Sequence, residues 1–240
     1  MTETPTLNPA RSRLSRWMQP QHLDDARLAE KRRLYCARPM RYHVLDDLVV
    51  PGMLERARDA LLCDGELKTA YKLYNRQDWT DRDSFEQAPD DSRFIYETIY
   101  VRPLAGREMA PSVLQDMQLR SRFRSSQFHA WLQALTGTAV GHTGIINLKR
   151  LHREHFLRWH GDGSPGRLLC MILYLHDGWR PEYGGRLLFR HEDGSIEAID
   201  PLFNRAVIFD PTSRAQHAIE QMTESADGWA RLNYTVWFNG

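Results

Sequence analysis

Lysine is scarce in this 240-residue chain: Lys31, Lys68, Lys72 and Lys149 are the only four among 32 Lys and Arg residues. The lean towards arginine reads as codon bias rather than anion binding. With 31 Asp and Glu the formal net charge is only +1, so overall electrostatics give no footprint for nucleic acid. Cysteine is scarce as well. Cys36, Cys63 and Cys170 are scattered and have no CxxC spacing, which argues against a disulfide framework and a zinc ribbon and fits reduced intracellular thiols. No stretch approaches the roughly 18 apolar residues of a membrane span. Residues 1–20 lack the apolar run of a signal peptide. The cytoplasm is the expected location, with neither membrane nor nucleic acid as partner, and the oligomeric state is left open. What is present is ordinary for a globular protein: 42% hydrophobic and 26% charged residues, over a length that suits one large domain with an accessory layer.

The texture changes along the chain. Residues 1–40 read as an N-terminal extension: a polar, proline-containing arm to about residue 20, then a helix over 23–36 stopped by Pro39. Residues 41–139 read as a mixed support region. It has a strand over 42–50, then a helix opened by Pro51 with Leu54, Ala57 and Leu61 on one face. The polar stretch 76–93 reads as a long loop, followed by a β-branched and aromatic strand over 94–101. A helix over 126–135 carries Phe128, Trp131, Leu132 and Leu135 on one side, with Gly137 as its cap. From 140 to 240 short β-type runs follow one another at 142–149, 156–160, 168–175, 186–190, 195–199, 205–209, 217–221 and 232–238. That density predicts a closed or double-sheet antiparallel β structure, with helices segregated to the N-terminal half.

The chemistry concentrates in Trp159-His160-Gly161-Asp162-Gly163 and in His217 far downstream. Residues i and i+2 of a strand point to one face, so His160 and Asp162 aim an imidazole and a carboxylate at one point. His217, from another strand, would complete two histidines and one carboxylate on one side of an ion. That is the ligand set of non-haem iron(II) oxygenases, with coordination positions left open. HxD alone is a common tripeptide. His152, His155, His176 and His191 read as surface or packing histidines, and Gly184-Gly185 as a turn.

What accompanies the HxD carries the reading further. Arg150 to Asp162 (RLHREHFLRWHGD), Leu173-Tyr174-Leu175, Trp179, Gly184-Gly185-Arg186-Leu187, Phe209-Asp210, His217 and Arg231 to Phe238 (RLNYTVWF) follow in order. The series resembles the prolyl-4-hydroxylase-like branch of the 2-oxoglutarate and Fe(II)-dependent oxygenases. The resemblance implies a mainly β fold with α: a double-stranded β-helix, or jelly roll, over 140–240 with an N-terminal helical layer. It implies His160, Asp162 and His217 as iron ligands, Arg231 and Tyr174 on the distal carboxylate of 2-oxoglutarate, and Thr235 beside the co-substrate. A planar guanidinium pairs with a carboxylate in bidentate fashion, and a phenol adds a neutral donor. Fe(II), 2-oxoglutarate and O2 are the implied requirements, with ascorbate admitted as a stimulant.

The chain departs from the family at Leu151, where a tyrosine is usual, at Glu154-His155 in place of Gly-Asp, and at His176 after Leu-Tyr-Leu. It also has a longer gap, with Glu224 to Gly228 (ESADG), before Arg231. The expected reaction is hydroxylation of an unactivated C–H bond, with release of succinate and CO2. An amino acid or amino-acid-derived small molecule is the first expectation for the substrate, and a peptidyl or protein side chain the second. A catalytically silent metal-binding module of the same fold and a cupin-like metal enzyme independent of 2-oxoglutarate are the other readings. Trp159 and Arg150, with the loop 76–93 and the strand 94–101, are the candidates for contact with substrate.

Overall fold

Alternation along the C-terminal strands builds two facing sheets. The computed structural model describes residues 13–74, 79–100, 109–212 and 216–240. Its larger sheet runs β1 (Tyr42–Leu45), β9 (Ala206–Phe209), β6 (Arg167–Tyr174), β11 (Arg231–Asn239), β4 (His142–Leu151), β3 (Arg93–Tyr100) and β2 (Glu66–Leu73), with β5 (Phe156–Leu157) paired to β3. A second sheet holds β10 (Gln216–Ile219), β7 (Leu187–Arg190) and β8 (Ile196–Ile199). All pairings are antiparallel. The protein is mainly β with helices, and its core is the expected jelly roll.

The large sheet is buried on both faces. Ile146, Leu148, Leu169, Met171, Leu173, Ile208, Tyr234, Val236 and Phe238 point to the helices and form one core with them. Cys170, Ile172, Tyr174, Val207, Phe209 and Trp237 point the other way and meet Leu187, Phe189, Ile199 and Ile219 of the small sheet. The helices are α1 (Asp25–Ala37), α2 (Met53–Asp64), α3 (Arg82–Gln87), α4 (Pro111–Phe123) and α5 (Ser126–Thr136). Local signals set their ends. Asp24 accepts from the Arg27 N–H, Ser125 accepts from the Phe128 N–H, and Gly137 closes α5 at φ 81°, as N-cap and left-handed C-cap residues do. Buried polar contacts pin α4 to the sheet. The Tyr234 hydroxyl donates to Asp116 at 2.7 Å, and Arg120 reaches both Asp116 (2.6 Å) and the Ile146 carbonyl (2.7 Å).

The expected elements are largely present, with informative differences. The strand expected over 156–160 is only two residues long, because His160 leaves it to make an isolated bridge with His217. The strand expected over 42–50 stops at Leu45. Within 76–93, residues 79–93 are not simply a loop. They form α3 and a short turn at Asp90–Ser92, with Phe85 buried against Tyr71 and Phe156; residues 76–78 lie outside the described residues, as does 101. The end of the supposed loose arm is packed, since Leu14, Trp17 and Met18 are buried in the helical core. Two elements were not anticipated. Strand β2 carries Lys72 on a face turned to a cavity, so its polarity hides the alternation. Helix α4 places Asp116 among its buried residues, which breaks the apolar period. Gly184 and Gly185 do form a turn, at φ 68° and 74°. A Cβ at Gly184 would come within 2.6 Å of the Gln221 carbonyl oxygen.

Phe128 has no exposed surface and packs on Trp17, Phe123, Trp131 and Phe238. Phe128→Ala is expected to lower unfolding stability by about 3–5 kcal/mol, read as a shifted urea midpoint with an unchanged slope.

Candidate active site

Two backbone hydrogen bonds bring the expected metal ligands together. His160 N–H donates to the His217 carbonyl (2.9 Å), and His217 N–H donates to the His160 carbonyl (2.8 Å). The imidazoles then lie 4.2 Å apart between ring centroids. Asp162, two residues on, reaches His217 Nε2 at 3.0 Å and His160 Nε2 at 3.7 Å. His160 Nδ1 sits 2.7 Å from the Arg158 carbonyl. A carbonyl only accepts, so Nδ1 carries the proton and Nε2 presents its lone pair to the cluster. Burial and the neighbouring His217 push the His160 imidazole down to about 4, which leaves it neutral near pH 7. Burial works against the Asp162 charge. The hydrogen bond from His217 and the nearby His217, His160 and Lys149 outweigh it and hold the carboxyl well below the usual carboxylate range. A neutral imidazole and an ionised carboxylate are the forms that bind a divalent cation.

Tyr74, which the sequence reading missed, clasps the peptide between these ligands. Its hydroxyl donates to the Gly161 carbonyl at 2.6 Å and accepts from the Gly161 N–H at 3.1 Å. The aromatic pattern of Tyr71-Lys72-Leu73-Tyr74 was visible, but without β2 it had no place in the fold.

Among the described residues one other group has metal-ligand spacing: Glu97, His152 and His155. Two of its three residues are otherwise engaged. Arg150 holds Glu97 at 2.5 Å, and His155 Nδ1 accepts from the His152 N–H at 3.3 Å. The His160, Asp162 and His217 group faces a cavity.

A narrow inner cavity next to that group is walled by Lys149, Leu157, Cys170, Ile172, Phe209, Arg231, Asn233 and Thr235. Arg231 is 2% exposed. Its Nη1 donates to Asn233 Oδ1 (2.9 Å) and its Nη2 to the Tyr174 hydroxyl (3.2 Å), while its Nε has no partner. No carboxylate among the described residues pairs with it. A guanidinium buried in this way demands an anion. Asn233 also donates to Thr235 Oγ1 (3.1 Å), which joins all four side chains in one network. His176 is a pin in the structure rather than a cavity residue: it accepts from the Leu232 N–H (3.0 Å) and donates to the Pro201 carbonyl (2.5 Å).

The inner cavity continues into an outer one of about 190 Å³, lined by Lys72, Tyr74, Phe94, Tyr96, Asn147, Lys149, Arg167 and Trp237 among others. The strand 94–101 therefore contributes Phe94 and Tyr96. Trp159 and Arg150 do not line it. The Arg190 guanidinium lies 4.1 Å over the Trp159 ring, and Arg150 is turned to Glu97.

Comparison with known proteins agrees with this geometry. Residues 146–239 match the model of the 2OG-Fe(II) oxygenase superfamily. Over 119 residues the chain is 25% identical to mouse (Mus musculus) prolyl 3-hydroxylase OGFOD1, covering 47% of this chain and 22% of that protein, so the chain spans about a fifth of its relative's length. A prolyl-4-hydroxylase from Pseudomonas putida superposes with TM-score 0.57 at 21% identity, covering 88% of this chain and 98% of that one. A prolyl hydroxylase from Trichoplax adhaerens, solved with a hypoxia inducible factor peptide fragment, gives TM-score 0.63 at 13% identity, covering 92% and 93%. The fold is the jelly roll of these solved structures, and its inner cavity is lined by the His160, Asp162 and His217 group. Residues 146–239, which hold the His160, Asp162 and His217 group, are therefore similar to the 2OG-Fe(II) oxygenase superfamily. No helix among the described residues is long and apolar enough to cross a membrane.

Asp162→Ala and His160→Ala are each expected to weaken Mn(II) binding at least about 100-fold, since each removes one of three ligands. His152→Ala and His191→Ala should bind as the unaltered protein does. Calorimetric titration under argon checks this, and tight binding by Asp162→Ala would dissolve the triad.

Proposed function

We propose that the protein hydroxylates an unactivated C–H bond of a peptidyl side chain, with His160, Asp162 and His217 holding Fe(II). Arg231 and Tyr174 grip the distal carboxylate of 2-oxoglutarate, and Thr235 steadies that network through Asn233. The observation that carries the reading is the buried Arg231 guanidinium, without a protein carboxylate, in the cavity that also holds the triad. The residues suit both groups: two imidazoles and a carboxylate for a divalent iron, and a planar fork with a phenol for a carboxylate.

Fe(II) and O2, with 2-oxoglutarate leaving as succinate and CO2, supply the oxidising power that places one oxygen atom in a C–H bond. The chain's own groups do the rest. Arg231 fixes the co-substrate by one end. Ile172, Phe209 and Leu157 exclude water around it. Phe94 packs on the His160 ring at 4.7 Å and limits its rotation.

A peptidyl substrate is better supported than a free amino acid. The named relatives are prolyl hydroxylases, one of them solved with a bound peptide. The outer cavity has exposed residues at its rim, Tyr74 and Ile145, so an extended chain can lie across it. A proline side chain is the first candidate.

Incubating the Fe(II)-loaded protein with 2-oxoglutarate and a synthetic proline-containing peptide library should yield succinate together with peptides heavier by one oxygen. Product from free amino acids and none from peptides would reverse the assignment. Arg231→Ala should raise the dissociation constant for 2-oxoglutarate about 100-fold, because a charge-assisted pair is lost. Tyr174→Phe removes one neutral donor and should raise it about five-fold. Titration of the Mn(II)-loaded protein under argon reads both, and an unchanged constant in Arg231→Ala would move the carboxylate elsewhere.

A further inference from the structure

Lys149 has no role in the scheme above, yet it stands where the inner and outer cavities meet and lines both. It lies on β4 opposite Asn233. Its ammonium sits 4.8 Å over the Tyr96 ring. No hydrogen bond or ion pair joins it to another group among the described residues. Asp162 is the only carboxylate among the residues lining either cavity, and His217 already holds that carboxylate at 3.0 Å. Burial pushes the ammonium down to about 8, so it is still mainly charged at pH 7. Asp162 acts on this half-buried ammonium through its charge without a hydrogen bond, and the ring beneath it compensates only part of the lost hydration. Lys72 and Arg167 add positive charge to the outer wall, so the lining carries three cations against one carboxylate. The chain has four lysines in all, and two of them line this one cavity.

We propose that Lys149 binds a carboxylate of the substrate, so that the oxidised side chain lies next to an acidic residue in the peptide. This rests on the peptidyl reading above and specifies the substrate class within it. A second carboxylate in the site could also come from the metal-proximal end of 2-oxoglutarate, and the two sources give different results. A compact ammonium on a flexible stem can reach one carboxylate oxygen in a confined space where a guanidinium fork would not fit. The aromatic wall of Phe94, Tyr96 and Trp237 then accommodates the apolar part of the same segment.

The test is affinity selection of a synthetic random heptapeptide library on the immobilised protein, loaded with Mn(II) and saturating 2-oxoglutarate under argon. The eluate is sequenced by mass spectrometry. In parallel, N-acetylglutamate and N-acetylglutamine are titrated against the same complex by tryptophan fluorescence. The expected result is about ten-fold enrichment of Asp and Glu, and about ten-fold tighter binding of the glutamate derivative, in the unaltered protein. Both preferences should vanish in Lys149→Met, or in Lys149→Gln should the methionine variant not fold. Equal binding of the acid and amide probes by the unaltered protein overturns the proposal, as does a preference that survives loss of the charge. A large loss of 2-oxoglutarate affinity in Lys149→Met, with no acid preference in the unaltered protein, assigns the ammonium to the co-substrate and also overturns it. Lys149-dependent binding of N-acetylglutamate with no peptide retained leaves the carboxylate inference standing and removes the peptidyl reading.

Discussion

Burial of β11 on both faces is the constraint from which the remaining architecture follows. Leu232, Tyr234, Val236 and Phe238 must be covered on one side, and the helical layer covers them. Arg231, Asn233, Thr235 and Trp237 alternate to the other side, where a wholly apolar interior would leave their polar atoms stranded. Facing sheets with a polar cavity between them satisfy both demands. The strand is central in the sheet, between β6 and β4, so its backbone groups are paired and only its side chains remain to be satisfied. The polar ones satisfy each other in part, and the remainder is the unpartnered Nε of Arg231. A jelly roll with an anion-demanding interior is therefore built into the alternation of nine residues.

The division of faces also explains which parts could be read from the sequence. β6 was legible as a short, almost wholly apolar run, and β11 from the alternation of its polar and apolar residues. The triad was legible because the HxD spacing and a distant histidine fall in a recognisable order. Its closeness was not. The contact between His160 and His217 is a tertiary bridge across 57 positions of chain, and no local pattern encodes it. Elements that face the cavity were the hardest. In β2 a lysine occupies an inward position, so the hydrophobic signal is absent where the strand is most functional. Lys149 was hidden for the same reason. In sequence it is one of four lysines, beside an arginine and with no motif around it; the pleat alone turns it inward while Arg150 turns out to Glu97.

The same reasoning separates residues that looked functional from those placed to act. Trp159 and Arg150 stand at the two ends of the stretch before the HxD, and each is satisfied elsewhere, by Arg190 and Glu97. His176 departs from the family pattern but holds two backbone groups that set the start of β11, so it steadies the Arg231 segment from behind.

Tyr74 carries a consequence for how the cavity responds to occupancy. Its ring is part of the outer rim, and its hydroxyl holds both polar atoms of Gly161, the residue between two of the proposed ligands. Rim and coordination sphere are thus one lever with a short arm. A molecule that displaces the ring by a few tenths of an ångström moves the peptide unit that spaces the imidazole of His160 from the carboxylate of Asp162. A metal held by His160 and Asp162 would in this way gauge what rests on the lip of the cavity, and its optical or magnetic spectrum would register an arriving molecule before that molecule touched the ion.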